Sequence, residues 1–95
     1  MKPKALVHAR GDWVAVATDD ISNDEEFGAV DMDDNHKSRT VRSKEDILLG
    51  HKIALRDIAK GEHVVEYGEV IGVATKDIEL GQHIHTHNLK SLRWQ

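Results

Sequence analysis

The chain has 95 residues, a formal net charge of −4, seven histidines and no cysteine, and its only Trp, Tyr or Phe residues are Trp13, Phe27, Tyr67 and Trp94. That length suits one small domain burying roughly 60 to 70 % of its unfolded surface, with Val, Ile, Leu and Ala filling the core. Disulfides and thiolate metal ligands are excluded, and no basic stripe supports nucleic-acid binding. The opening Met-Lys-Pro-Lys leads into only Ala5-Leu6-Val7, too few apolar residues for a signal peptide, and no apolar run nears the ~20 residues of a membrane span. A cysteine-free chain of this kind fits a cytoplasmic location.

In chain order, residues 5–7 and 14–17 read as short strands joined by a turn at Gly11-Asp12. The acid-rich stretch from Asp19 to Asp34 is balanced by Lys37, Arg39, Arg42 and Lys44, and both clusters read as solvated surface. Residues 28–37 are expected to form a mobile loop, and Thr40-Val41 to begin another strand. Asp31-x-Asp33-x-Asn35 imitates the start of a calcium loop but has His36 where such a loop needs Gly and Arg42 where it needs Glu. From Ile47 onward, two- and three-residue β-branched stretches alternate with turns. Residues 52–60 leave room for a turn or two of helix, tightly bracketed by Gly50 and Gly61.

One pattern recurs along the whole chain. Asp20-Ile21, Asp46-Ile47, Asp57-Ile58 and Asp77-Ile78 each precede a turn position, filled by Asp24, Gly50, Gly61 and Gly81, and then an apolar residue at Phe27, Ile53, Val64 or Ile84. Glycine takes a left-handed conformation at no steric cost, and Asp is a tolerable substitute. The pattern predicts four strand-turn-strand corners whose aspartates cap turns through side-chain to backbone hydrogen bonds. Their unequal spacing excludes a solenoid. The expected domain is therefore mostly β, compact and built from many short strands over residues 1–88, with 89–95 leaving it as a tail whose Leu92 and Trp94 could dock on a partner.

The richest chemical segment is Gly81-Gln82-His83-Ile84-His85-Thr86-His87-Asn88. On a strand, His83, His85 and His87 would share one face, where imidazoles can hold a divalent metal and Asn88 can orient a ligand. An exposed polar strand face explains the same spacing. His8 and His51 carry no local pattern beyond a flanking apolar residue and a turn glycine. No Gly-x-Gly-x-x-Gly, P-loop or nucleophile elbow occurs.

Four stretches taken together resemble the small N-terminal domain of the altronate dehydratase family: His8-Ala9-Arg10-Gly11-Asp12-Trp13-Val14-Ala15-Val16-Ala17, Gly50-His51-Lys52-Ile53-Ala54-Leu55, Tyr67-Gly68 with Ile71-Gly72, and Gly81 through His85-x-His87-Asn88. The resemblance implies a SAF-type β-clip fold, found at the start of altronate and galactarate dehydratases and as a separate small subunit of sulfolactate sulfo-lyase. The added Gly11, Trp13 in place of Asn, and the ending Asn88-Leu89-Lys90-Ser91-Leu92-Arg93-Trp94 favour the separate-subunit relatives. It implies a lyase that removes water or sulfite from a 2-hydroxy acid with iron or manganese, working with a large catalytic subunit. The matching positions are His8, His51, His85 and His87 as catalytic residues, His85 and His87 as metal ligands, and Lys52 and Asn88 as substrate contacts. A non-catalytic sugar-acid-binding module and a structural subunit remain open alternatives, as does homo-oligomerisation.

Overall fold

Short β-branched segments separated by turns satisfy their backbone only by pairing with one another, and the computed structural model consists almost wholly of such pairings. It describes residues 2–32 and 36–92. The strands are β1 (Pro3–Val7), β2 (Val14–Ala17), β3 (Glu26–Asp31), β4 (Ser38–Arg42), β5 (Lys52–Ala54), β6 (His63–Glu66), β7 (Glu69–Ala74), β8 (His83–Ile84) and β9 (Leu89–Ser91), and the described residues contain no helix. They form a six-stranded sheet, β4-β3-β1-β2-β5-β8, and a three-stranded one, β6-β7-β9. Only β1 and β3 run parallel. This is the mostly β clip that the resemblance implies.

The four Asp-Ile corners hold the sheets together, and they do so in pairs. Asp24, Gly50, Gly61 and Gly81 all have positive φ, between 66° and 93°, so the left-handed turn position expected at each corner is present. Ile21 bridges Ile47, and Ile58 bridges Ile78. Each aspartate caps the turn of its partner corner: Asp46 accepts from the Asn23 amide at 2.8 Å and Asp20 from Leu49 at 2.9 Å, while Asp77 accepts from Lys60 at 2.9 Å and Asp57 from Leu80 at 2.8 Å. A second cap closes each turn on itself. Ser22, Ala59 and Glu79 donate their amides to Glu25, Glu62 and Gln82, five positions after the respective aspartates. In the remaining corner that position is His51, and among the described residues no side chain accepts from the Leu48 amide there.

Two apolar clusters fill the interior. One gathers Val7, Ile21, Phe27, Ile47 and Ile53 under the six-stranded sheet. The other joins Val14, Ile58, Val64, Ile78 and Ile84, with Trp13, Ile71 and Leu89 packed against it. Arg56 lies over the Trp13 ring, 4.1 Å from its centroid, and covers the exposed side of that indole.

Three local expectations are corrected. Gly28, Ala29, Val30 and Asp31 belong to β3 rather than to a loop, because β3 pairs with β1 on one side and β4 on the other and Phe27, Gly28 and Ala29 are buried. No helical turn forms at 52–60; Lys52–Ala54 pairs with β2 and β8 instead. Nor does the chain leave the domain at Leu89, since Leu89–Ser91 is β9, paired with β7. A Cβ on Gly72 would sit 2.5 Å from the Lys90 carbonyl, so that glycine is what admits the last strand. Trp94 lies outside the described residues, as do Asp33 and Asn35 of the calcium-like stretch.

Candidate functional site

The chemistry-bearing side chains collect along one side of the domain, where β5, β8 and β9 meet the β6–β7 hairpin. His51 leaves its turn glycine and enters β5 half-buried, and its Nδ1 lies 2.8 Å from Nε2 of His83, a hydrogen bond in which one ring donates and the other accepts according to tautomer. His85 completes the group: the ligand nitrogens of His51, His83 and His85 all lie within 4.8 Å of one another. The ring of His85 is 5.2 Å from that of His51 and stacks on His83 at 5.6 Å.

The three histidines are not brought together by strand alternation. β8 ends at Ile84, and residues 85–88 turn around Asn88, which is 5 % exposed. Its carboxamide oxygen accepts from the His85 amide at 3.0 Å, and its nitrogen donates to the His83 carbonyl at 2.8 Å. Asn88, expected among the substrate contacts, thus spends its side chain fixing the backbone that carries the histidines. His87 sits on the outer side of this turn, its ring 5.4 Å from that of His83. The Glu45 carboxylate accepts the His83 amide at 2.9 Å and pins the start of the segment. Burial first, and then the neighbouring His51, hold the His83 imidazole below the ordinary histidine value. It is therefore neutral at neutral pH, with a lone pair available.

A second group lies beside the first. Glu66, at the end of β6, is 5 % exposed, and its two carboxylate oxygens are 3.6 Å from Lys52 Nζ and 3.7 Å from His8 Nδ1. These separations exceed a hydrogen bond, and His8 Nδ1 is buried with no hydrogen-bond partner among the described residues. The His8 ring stacks on Tyr67 at 4.3 Å. Tyr67, with a φ of 56°, and Gly68 form the two-residue tip between β6 and β7. Buried Asp12 anchors that tip by accepting the amides of Tyr67 at 3.1 Å and Gly68 at 3.3 Å, together with Ala9 of its own loop.

Two open recesses of about 260 and 310 Å³ run between these groups and share Lys52, Leu89 and Ser91. His51 and His85 line one, Glu66 and Tyr67 the other. Of the residues marked by the resemblance, His8, His51, Lys52 and His85 face this groove or abut it, whereas His87 and Asn88 line neither recess. Glu66, Tyr67 and Asp12 were not singled out from the sequence as site residues. Glu66 had a signal: it stands two positions after Val64 on one strand, so alternation turns it inward with that valine.

The donor set suits a metal. Three imidazoles converge and one of them is held neutral, a combination fitting zinc, iron, cobalt or nickel better than manganese, which prefers carboxylate and water oxygens.

A small β-clip whose open side gathers imidazoles, a lysine and a buried carboxylate defines a SAF-type domain with a polar groove. The chain belongs to the altronate/galactarate dehydratase SAF domain family, which it matches over residues 3–92. It is 44 % identical over 85 residues to the altronate dehydratase of Escherichia coli strain K12, covering 90 % of this chain and 16 % of that enzyme. With the altronate dehydratase of Bacillus subtilis strain 168 it shares 38 % identity over 91 residues, 96 % of this chain and 17 % of that enzyme. The chain therefore spans about a sixth of those two relatives. It is also 48 % identical over 52 residues to the (2R)-sulfolactate sulfo-lyase subunit alpha of Paracoccus pantotrophus, which is 55 % of this chain and 78 % of that subunit.

Proposed function

We propose that this chain is the small subunit of a two-subunit lyase of the altronate dehydratase type, eliminating water or sulfite from a 2-hydroxy acid. The carrying observation is the groove itself, where His51, His85 and Lys52 converge beside the buried Glu66. The relatives named as subunits support a separate small chain, since this one covers 78 % and 65 % of two sulfo-lyase alpha subunits. The dehydratases, in which the matching region is a small share of a longer protein, support a large partner that supplies the rest of the site.

Elimination requires a base to remove the proton next to the carboxylate, a positive group to hold that carboxylate, and an acid to protonate the departing oxygen. Lys52, with its side chain 38 % exposed at the centre of the groove, is the carboxylate-holding group. The base takes the proton next to the carboxylate, the C–O bond to the departing hydroxyl or the C–S bond to the departing sulfite breaks, water or sulfite leaves, a C=C bond forms, and the resulting enol becomes the keto acid. His85, exposed on its turn, is one of the histidines that face this chemistry. A divalent metal held by the histidines would polarise the substrate hydroxyl. Glu66 keeps Lys52 and His8 directed along the groove.

The test is co-expression with a large partner chain, followed by assay of altronate, galactarate and sulfolactate for keto acid or released sulfite. Turnover that needs both chains and falls sharply in His85→Ala is expected. Undiminished turnover in that variant removes His85 from the chemistry. Stable assembly without turnover on any of the three substrates replaces the lyase reading with a binding or structural module.

A further inference from the structure

The corners carry a regularity that one histidine breaks. Five positions after the aspartate, Glu25, Glu62 and Gln82 each turn back to accept the amide of their own turn, at 2.9, 2.7 and 2.7 Å. His51 holds the equivalent place, with the same main-chain bond from its amide to the Leu48 carbonyl at 3.0 Å, yet its side chain points away from the turn and meets His83. The backbone at this corner matches the others; only the side chain has been diverted. Such a departure from a locally consistent pattern is where function is expected.

We propose that His51, His83 and His85, without His87, form a divalent transition-metal site that this chain builds by itself, with an open coordination position facing the groove. Each ligand has its own support: the corner backbone holds His51, the Glu45 carboxylate holds the His83 amide, and Asn88 holds the backbone of both His83 and His85. Nitrogens bound to one metal at roughly 2.0–2.1 Å stand about 3.3 Å apart in a tetrahedral arrangement. Bringing the nitrogens from their present spread of up to 4.8 Å to that separation takes side-chain rotation, for which His85, exposed on its turn, has room. No carboxylate belongs to the group, so zinc, cobalt, nickel or ferrous iron is favoured over magnesium or manganese. Because His51 and His85 both line the recess, a fourth position left open points where a hydroxy acid would lie. This deepens the metal-dependent part of the lyase reading, but its test requires no turnover.

The full chain, free of any histidine tag, is titrated with Co²⁺, following visible absorption and heat, with Zn²⁺ as competitor. One equivalent is expected to bind with the intense absorption of a four-coordinate ion. His51→Gln and His85→Ala each weaken binding by roughly tenfold or more, at least the loss seen when a supporting residue is removed. His87→Ala stays within about twofold of the parent. Circular dichroism of each variant separates ligand loss from unfolding, and His85→Ala, on an exposed turn, carries the test if His51→Gln misfolds. The proposal is overturned by absent or non-stoichiometric binding, by affinity unchanged in folded His51→Gln or His85→Ala, or by an equal loss in His87→Ala. A chain that binds Co²⁺ as expected but gives no turnover with its partner keeps the site and loses the lyase. A chain that turns over with its partner but binds no Co²⁺ keeps the lyase and loses the site.

Discussion

Replacing His51 by glutamine should make the metal-free domain more stable while removing its metal. Gln82 already occupies the equivalent corner position and accepts the Glu79 amide at 2.7 Å, so the substituted side chain has a template for its conformation. The new bond would go to the amide of Leu48, an exposed residue whose N–H is free to bond water. The gain is therefore that of a net intramolecular hydrogen bond, about 1 kcal/mol. Against it stands the His51 to His83 contact, half-exposed and taken at the lower end of the same range, about 0.5 kcal/mol. Relief of the imidazole crowding that disfavours charge on His83 adds to the balance below neutral pH. A net gain of about 0.5 kcal/mol corresponds to a rise of about 2–4 °C in Tm for a domain of this size. The assay is thermal and urea unfolding of both proteins in chelator at neutral pH, with Glu62→Ala as the opposite control, since that change deletes an existing 2.7 Å cap and should cost about 1 kcal/mol. A His51→Gln midpoint at or below the parent's, with Glu62→Ala clearly destabilised, would refute the idea that His51 sits where a cap belongs.

Two further outcomes follow from the same structure. In Gly72→Ala the added Cβ would lie 2.5 Å from the Lys90 carbonyl, so β9 must shift; a cost of about 1–3 kcal/mol is expected, with faster amide exchange at Leu92, which donates to the Ile71 carbonyl, and unchanged exchange there would show that β9 does not depend on the close approach. Because the folded state lowers the His83 value below 6.5, the unfolded chain takes up a proton first as pH falls. Stability of the metal-free domain should therefore be greatest above the unfolded histidine value and decline as pH falls through about 6.5 towards the lower folded-state value. His51, Glu45, His87 and His85 face the ring, and only Glu45 opposes the shift. His83→Asn should flatten the slope, and an equal slope in that variant would assign it to other groups.

The corners were readable because their physics is local. A left-handed position five residues into each Asp-Ile segment needs glycine or a substitute such as Asp24, and all four have the positive φ this demands. The reciprocal caps were only half readable: an aspartate at a turn announces a side-chain bond, but not that the amide it serves lies 17 to 29 residues away. The histidine segment was misread in conformation, since alternation presumes a strand and Asn88 imposes a turn after Ile84. β3 was hidden by Gly28 and Asp31, which weaken strand propensity, and was rescued by pairing on both sides with β1 and β4. Nothing local marks Glu66 as the neighbour of both His8 and Lys52, because that meeting depends on two sheets closing on each other.

The clasping aspartates and Asp12 work on different scales of chain separation. The clasps close loops of 17 to 29 residues, whereas the bonds from Asp12 to the hairpin tip span 55 and 56. Short closures form early and cost less entropy, so each pair of corners can assemble before the hairpin is latched. The latch combines the amide bonds to the Asp12 carboxylate with the bond from the Trp13 amide to the Val65 carbonyl at 2.9 Å, and together they hold Glu66 and Tyr67 beside His8. One wall of the groove is thus set by contacts between parts of the chain more than fifty residues apart, while the clasps that brace the rest of the domain close over much shorter loops.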